Sequence, residues 1–274
     1  MIPEAFEDVV LHMFHDSLLG AHFGTVNTFY TIRDKFYIHN LFDKIQRYVG
    51  ACEQCQKSNC KKPKDCIFQP RIPLSYTPME HCSCDIKYMP KGILGYKFLL
   101  VAVCEVTGFT IGVPLMNNTA VQIANALLDK LIFIFGPPKT LIVDEDCALS
   151  AKVIFYILDA LKISLKIISP HNHGSLKTER YIQTISNNIK KHLEGKGQEW
   201  PLYVMPSCYG MNTFVSPRTG FCPYELVFLQ KPPDLLNLHF QPLEAVARGY
   251  EDYVRLMRAK LENVGNIVTE LKTF

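Results

Sequence analysis

The sequence predicts an α/β protein in which a mixed sheet flanked by helices follows a small helical, metal-binding module. Three observations carry this. Six of the ten cysteines fall between Cys52 and Cys84, behind a pair of histidines. Prolines and basic residues crowd 61–78. Beyond them, strand-like apolar runs come first and then alternate with helical patterns, the order that builds a mixed sheet with helices packed on it.

Composition sets the outer limits. A chain of 274 residues has room for one or two domains and a small extra module. At 48% hydrophobic and 20% charged residues it has ample material for a core, which excludes disorder for most of its length. The longest clean apolar run, 98–104, is far short of the ~18 residues a membrane-spanning helix needs. The segment MIPEAFEDVV is acidic, with no basic residue, and does not read as a signal peptide. Without a secretory signal the cysteines are expected to be reduced, so their clustering points to metal rather than disulfides. A net charge of +3 permits nucleic-acid binding without arguing for it.

The elements follow in order. Residues 1–60 read as helical, with apolar positions recurring at three and four (Ile32, Phe36, Phe42, Ile45, Val49). The four prolines of 61–78 deny helix and central strand, which makes this a linker; Lys61, Lys62, Lys64 and Arg71 within it suit a nucleic-acid backbone. The first strand is expected to begin near Asp85. The run 97–106 is a buried strand, and 107–115 returns after a Thr-Gly turn as its hairpin partner. Asn118 or Thr119 caps a helix through Phe135, which Gly136-Pro137-Pro138 ends. Residues 139–144 form a short buried strand. Ser150 caps a helix with its stripe at Ile154, Ile157, Leu158 and Leu161, and 164–169 is another strand. A long helix starts near Lys177, its stripe at Ile182, Ile185, Ile189 and Leu193. The tail is amphipathic and helical (Val246, Tyr250, Val254, Met257, Leu261, Val264). The expected organisation is therefore a helical module at 1–60, a linker at 61–78, a sheet domain at 79–235 and a helical tail at 236–274.

Two chemical constellations stand out. His15 and His22, followed by Cys52 and Cys55 two residues apart, offer two imidazoles and two thiolates, the donor set of a tetrahedral structural zinc. His12, one turn before His15, competes with it. About 60 residues cannot bury a large core, so metal binding would supply folding free energy. Cys60, Cys66, Cys82 and Cys84 have no assigned role. The second constellation is acidic. Asp144 ends a buried strand, at the carboxyl edge where α/β sheets place ligands. Glu179 begins a helix on which Glu179, Gln183, Ser186 and Lys190 share one line beside the apolar stripe.

Several blocks carry a resemblance. FHDSLLGAHFGTVNTFYTIRDKFY with YVGACEQCQ, PMEHCSCDIKYMP, LIVDEDCAL, SPHNHGSLKTERYIQTI and WPLYVMPSCYGMNTFVSPRTGFCPYELVF resemble, in order, the zinc region and catalytic core of gypsy-class LTR retrotransposon and retroviral integrases. The similarity spans roughly residues 11–235. It implies an RNase H-like core at 79–235 behind an HHCC zinc-binding domain. It implies a polynucleotidyl transferase that processes 3′ DNA ends and joins element DNA to target DNA. Asp85, Asp144 and Glu179 match the family's three acids. Crowded carboxylates repel one another unless cations neutralise them, and two Mg²⁺ or Mn²⁺ ions do so while activating a water or a 3′-hydroxyl. The resemblance also implies one structural Zn²⁺ on His15, His22, Cys52 and Cys55, and double-stranded DNA as the partner, both element ends and target. A homo-oligomer working in the nucleus is implied, with no membrane and no small-molecule substrate. Lys177, Arg180, Lys190, Lys191 and His171 are the expected DNA contacts, with His173 a bystander in the same loop.

The sequence also departs from the family. Asp146 stands where the family has glycine, which makes it a competitor to Asp144, and Leu149 replaces a phenylalanine. The loop before the third acid reads NHGSL. The family's C-terminal β-barrel is expected to be absent, as in a polyprotein fragment or a decayed copy. A second reading is therefore an inactive or host-adopted relic that binds nucleic acid or protein. A third, a cut-and-paste transposase, is opposed by the GAHFG and TGFCPYELVF segments.

Overall fold

The computed structural model describes residues 3–17, 20–58, 77–144, 152–168, 177–193, 197–216, 219–232 and Arg255. Pro63, Pro70, Pro73 and the basic residues of the linker, Cys60, Cys66, Asp146, Leu149, Ser150, His171, His173 and the tail stripe lie outside them.

Four helices form the N-terminal module: α1 (Glu7–His15), α2 (Thr25–Arg33), α3 (Leu41–Ala51) and α4 (Glu53–Ser58). Their apolar stripes meet at Val10, Leu11, Phe14, Ile32, Ile38, Leu41 and Ile45. The apolar recurrence across 32–49 is not one helix. α2 stops at Arg33, and Asn40 turns the chain at φ 50° and ψ 39° before α3. Asparagine tolerates that left-handed geometry, which places Ile38 in the core instead of on a helix face.

The second unit is built on a five-stranded sheet. Its strands are β1 (His81–Tyr88), β2 (Phe98–Cys104), β3 (Thr110–Leu115), β4 (Thr140–Asp144) and β5 (Ser164–Ile168), in the order β3-β2-β1-β4-β5. β1, β2 and β3 pair antiparallel, whereas β4 lies parallel to both β1 and β5, so the sheet is mixed. The β2–β3 hairpin is as expected. β1 starts four residues earlier than expected, and Asp85 is its fifth residue, not its first.

The helical pattern after Thr119 divides into α5 (Ala120–Leu127), a π-helical turn (Leu128–Ile132) and α6 (Phe133–Phe135), ended by Gly136 at φ 85°. Thr119 is the residue at the cap position. α7 (Lys152–Ala160), α8 (Lys177–Leu193), α9 (Trp200–Thr213) and α10 (Pro223–Phe228) are the remaining α-helices among the described residues. Among the described residues no helix is long and apolar enough to cross a membrane.

Strand alternation sorts the helices onto two faces. On one face Cys82, Cys84, Leu100, Ala102, Leu141 and Val143 pack with Ile123 and Leu127 of α5 and Ile154 and Leu158 of α7. On the other, Leu99, Val101 and Val103 meet Ile182, Ile185 and Ile189 of α8 and Trp200, Val204 and Cys208 of α9. Cys82 and Cys84 are thus core side chains, and burial pushes the Cys82 thiol well above its ordinary pKa. Gly112 lets α9 lie close on β3, since a Cβ there would come within 2.7 Å of Cys208 Sγ. The Trp200 indole donates to the Pro90 carbonyl at 2.7 Å. Asn212 accepts from the Thr110 amide at 2.7 Å and donates to the Thr110 carbonyl at 2.8 Å, which satisfies a buried stretch of β3. The block after the third acid therefore does structural work in this chain.

A zinc-binding group and an acidic cluster joined by one helix

His15 is the last residue of α1, and its Nδ1 lies 3.0 Å from the Phe23 carbonyl, the geometry in which Nδ1 carries the proton and Nε2 faces inward. The chain then doubles back. Ala21 and His22 both take left-handed backbone angles, at φ 49° and 50°. Gly20 makes the doubling possible, because a Cβ there would meet the backbone of Phe14 and His15 at 2.8–2.9 Å. The turn returns His22 to His15, with their ring nitrogens 3.4 Å apart. Cys52 at the end of α3 and Cys55 on α4 bring their sulfurs to the same point.

All four ligand atoms lie within 4.8 Å of one another. His22 Nδ1 is 3.4 Å from Cys52 Sγ and 3.8 Å from Cys55 Sγ, and His15 Nε2 is 3.5 Å from Cys55 Sγ. Nitrogen and sulfur ligands at ordinary zinc distances define a tetrahedron with edges of about 3.3–3.8 Å, so a zinc ion fits among them. His12 is exposed on α1 and stays outside this group, which decides the ligand in favour of His15. Burial is the main cause that lowers both imidazole pKa values, that of His22 to about 4. Burial likewise pushes the Cys55 thiol up to about 11, opposed by the nearby ammonium of Lys191. Sequence reasoning passed over Asp16. Its carboxylate lies 3.6 Å from His22 Nδ1, accepts from the Tyr48 hydroxyl, and sits 3.8 Å from Cys52 Sγ, where it orients the ligand set.

The zinc module rests on α8. Lys191 is only 6% exposed, and its Nζ donates to the His22 carbonyl at 3.0 Å. The His22 and His192 rings lie 5.0 Å apart, and Phe23 packs on Phe214 with ring centres 4.2 Å apart. Lys191 was expected as a DNA contact beside Lys190, with a merely solvated helix face as the rival reading. That expectation is corrected by its position: its ammonium is buried between the two units and engaged with backbone. Its place on the same helix as Lys190 did not reveal that another part of the chain covers it.

The other end of α8 carries Glu179. β1 and β4 run parallel with Cys84 opposite Val143, so Asp85 and Asp144 stand next to each other one residue further on. Cys84 and Val143 face α5 and α7, so both aspartates face α8 by alternation. Glu179 lies exposed in the first turn of that helix. Asp85 registers the cluster. Burial raises its carboxyl pKa most, the charges of Asp144 and Glu179 raise it further, and the Ile86 amide, bonded at 2.7 Å, opposes them. Among the described residues these carboxylates are not drawn together as tightly as the His/Cys group. Asp85 lies inside β1, Asp144 ends β4 and Glu179 stands in the first turn of α8, so the three acids come from two adjacent strands and one helix.

Of the expected DNA contacts, Arg180 and Lys190 are exposed on α8, and the Lys177 side chain lies outside the description, as does His171. Lys87, not anticipated from the sequence, shares the α8-facing side of β1 with Asp85 and donates to Ser186 Oγ at 3.0 Å. Burial lowers its pKa first, then the charge of Lys190, while Asp85 opposes. Its signal was legible as two residues of one parity on a single strand.

Comparison with known proteins agrees with this geometry. Residues 2–61 match the integrase zinc binding domain family. The chain is 26% identical over 269 residues to the Retrovirus-related Pol polyprotein from transposon 412 of Drosophila melanogaster, covering 94% of this chain and 21% of that protein. It is 27% identical over 206 residues to the Pol polyprotein of Radiation murine leukemia virus (strain Kaplan), covering 74% of this chain and 35% of that one. The chain thus spans about a fifth to a third of the length of these relatives. In fold it is similar to a chain of the cryo-EM structure of the simian T-cell lymphotropic virus intasome in complex with PP2A regulatory subunit B56 gamma. The TM-score there is 0.55 at 14% identity, over 86% of this chain and 77% of the other. The resemblance to retrotransposon and retroviral integrases holds in the zinc module, in the overall sequence and in the fold.

Proposed function

We propose that this relative of the retroelement integrases is itself an integrase, a metal-dependent polynucleotidyl transferase that trims 3′ DNA ends and joins element DNA to target DNA. The observation that carries the reading is the side-by-side placement of Asp85 and Asp144 on the α8-facing side of the sheet, within electrostatic reach of Glu179. The three carboxylates would hold two divalent cations, which when bound supply charge neutralisation and activation of the attacking oxygen. The chain's own work is positional. Two adjacent strands and one packed helix hold the acids on a rigid base, and the basic residues of α8 offer phosphate contacts beside them.

Double-stranded DNA is the substrate on this reading. Joining two element ends requires at least two active cores, so the working form is a homo-oligomer, acting in the nucleus where target DNA lies. Similarity to an intasome chain supports this assembly. The zinc module, docked on α8, serves to position the core.

The test is a strand-transfer assay with Mn²⁺ and a pre-trimmed oligonucleotide, comparing the wild-type chain with Asp144→Asn and Asp146→Asn. Joining lost only in Asp144→Asn supports the assignment. Loss only in Asp146→Asn moves the second acid by two residues. A folded, zinc-loaded wild type that joins nothing overturns the enzymatic reading in favour of a DNA- or protein-binding relic.

A further inference from the structure

Lys87 is the seventh residue of β1 and stands two positions beyond Asp85 on the same face of the strand. β4 ends at Asp144, level with Asp85, so Lys87 projects past the last paired residue of that neighbour, at the open end of the sheet where the acids converge. Its ammonium is half-buried and donates to Ser186 Oγ at 3.0 Å. Ser186 spends its own hydroxyl proton on the Ile182 carbonyl at 2.7 Å, so toward Lys87 it acts only as an acceptor. An ammonium has three donors, and this contact uses one. Among the described residues no carboxylate lies within ion-pair distance of Lys87. Lys190 follows Ser186 by four positions and therefore rises on the same side of α8 one turn on, exposed to solvent. Two cations flank a serine hydroxyl here, one of them partly desolvated and, among the described residues, with no carboxylate at ion-pair distance, though the charge of Asp85 on the same strand face favours it. A partly buried charge in that state is costly until an anion arrives.

We propose that Lys87 and Lys190, framed around Ser186, form a subsite for one backbone phosphate of the DNA strand led into the acidic cluster. The inference rests on the integrase reading and adds to it a strand-borne lysine. Lys87 anchors the phosphate from the sheet and Lys190 from the helix, so the nucleotide held between them sits at a fixed step from Asp85. The contact reads charge and spacing, not base identity.

The experiment uses the full zinc-loaded chain and a pre-trimmed DNA duplex. Fluorescence anisotropy gives the affinity across a salt series for wild type, Lys87→Met, Lys87→Arg and Ser186→Ala, and steady-state strand transfer is measured in parallel. Loss of one phosphate contact is expected to flatten the slope of log affinity against log salt by about one in Lys87→Met. The same variant is expected to raise KM more than it lowers kcat, irrespective of DNA sequence. Lys87→Arg should restore both, because it keeps the charge. If Lys87→Met keeps the wild-type slope, at any affinity, Lys87 is only a packing residue and the subsite is overturned while the integrase reading stands. If folded wild type neither binds nor joins the duplex, both readings fall.

Discussion

The Nζ of Lys191 donates to the carbonyl of His22 at 3.0 Å, across 169 positions of sequence. One end of this bond is a residue of the helix that carries Glu179, the other the backbone of His22 in the His/Cys group. α8 thereby presents Glu179 to the acidic cluster from its first turn and clasps the zinc module with its last. Whatever fixes the module also fixes the far end of the helix that bears the third acid.

Lys191→Met should remove that clasp while keeping the bulk of the side chain. It leaves the His22 carbonyl with only the longer Cys55 sulfur contact at 3.8 Å, at a cost of about 1–3 kcal/mol. Urea unfolding of the full chain is expected to show a lower midpoint, together with weaker zinc retention against a chelator. An unchanged midpoint and unchanged retention would show that the two units are held by their apolar contacts alone.

Removal of the metal should unfold the N-terminal module, since its few buried side chains make a small core. His22→Ala and Cys55→Ala are each expected to reduce bound zinc from one per chain to none and to remove the helical signal of the first 60 residues. Atomic emission and circular dichroism read these two quantities. A full zinc complement in either variant would mean a different ligand set.

Acid should have the same effect as the chelator. His15 and His22 are both held below the ordinary imidazole value of 6.5, His22 at about 4. The folded module therefore binds fewer protons than the unfolded chain, and stability falls wherever the unfolded state takes up protons first. It is fully present above pH 6.5 and is lost as the pH drops toward 4. Bound zinc acts in the same sense, because protonated imidazoles cannot ligate. Zinc release monitored with a chromophoric indicator should fall in this window; full occupancy at pH 4 contradicts it.

Glu179→Gln should abolish joining and leave the protein folded. The side chain is exposed, so the change should cost no more than about 0.5 kcal/mol of stability. Thermal unfolding and strand transfer measured on the same sample separate the two effects. Joining at the wild-type rate would place the third acid elsewhere.

Asn212→Ala should do the reverse. It strips partners from both the amide and the carbonyl of Thr110 in a buried strand. A loss of about 2 kcal/mol or more is expected from denaturant unfolding, with zinc content unchanged. A stability near wild type would mean that water reaches β3 at that point.

Much of this was legible in the chain itself. The apolar runs at 98–104 and 140–144 and the stripe at Ile182, Ile185 and Ile189 determined which segments became strands and which a helix. Alternation along a strand and a 3.6-residue turn are local rules that need no partner to be read. The donor types and spacings of His15, His22, Cys52 and Cys55 likewise determined a tetrahedral soft-ligand site. The break between α2 and α3 was less legible, because the apolar rhythm continues through the turn at Asn40. What only the tertiary structure decided is where elements far apart in sequence meet. It set Asp85 beside Asp144 through strand register, chose His15 over His12 by the return of the chain at Ala21 and His22, and turned Lys191 inward while leaving Lys190 outside. Periodicity tells which side of a helix a residue is on; it does not tell what covers that side. Burial of Lys191 and the open ammonium of Lys87 follow from how the zinc module and β1 pack against α8, and those contacts exist only once the chain has closed on itself.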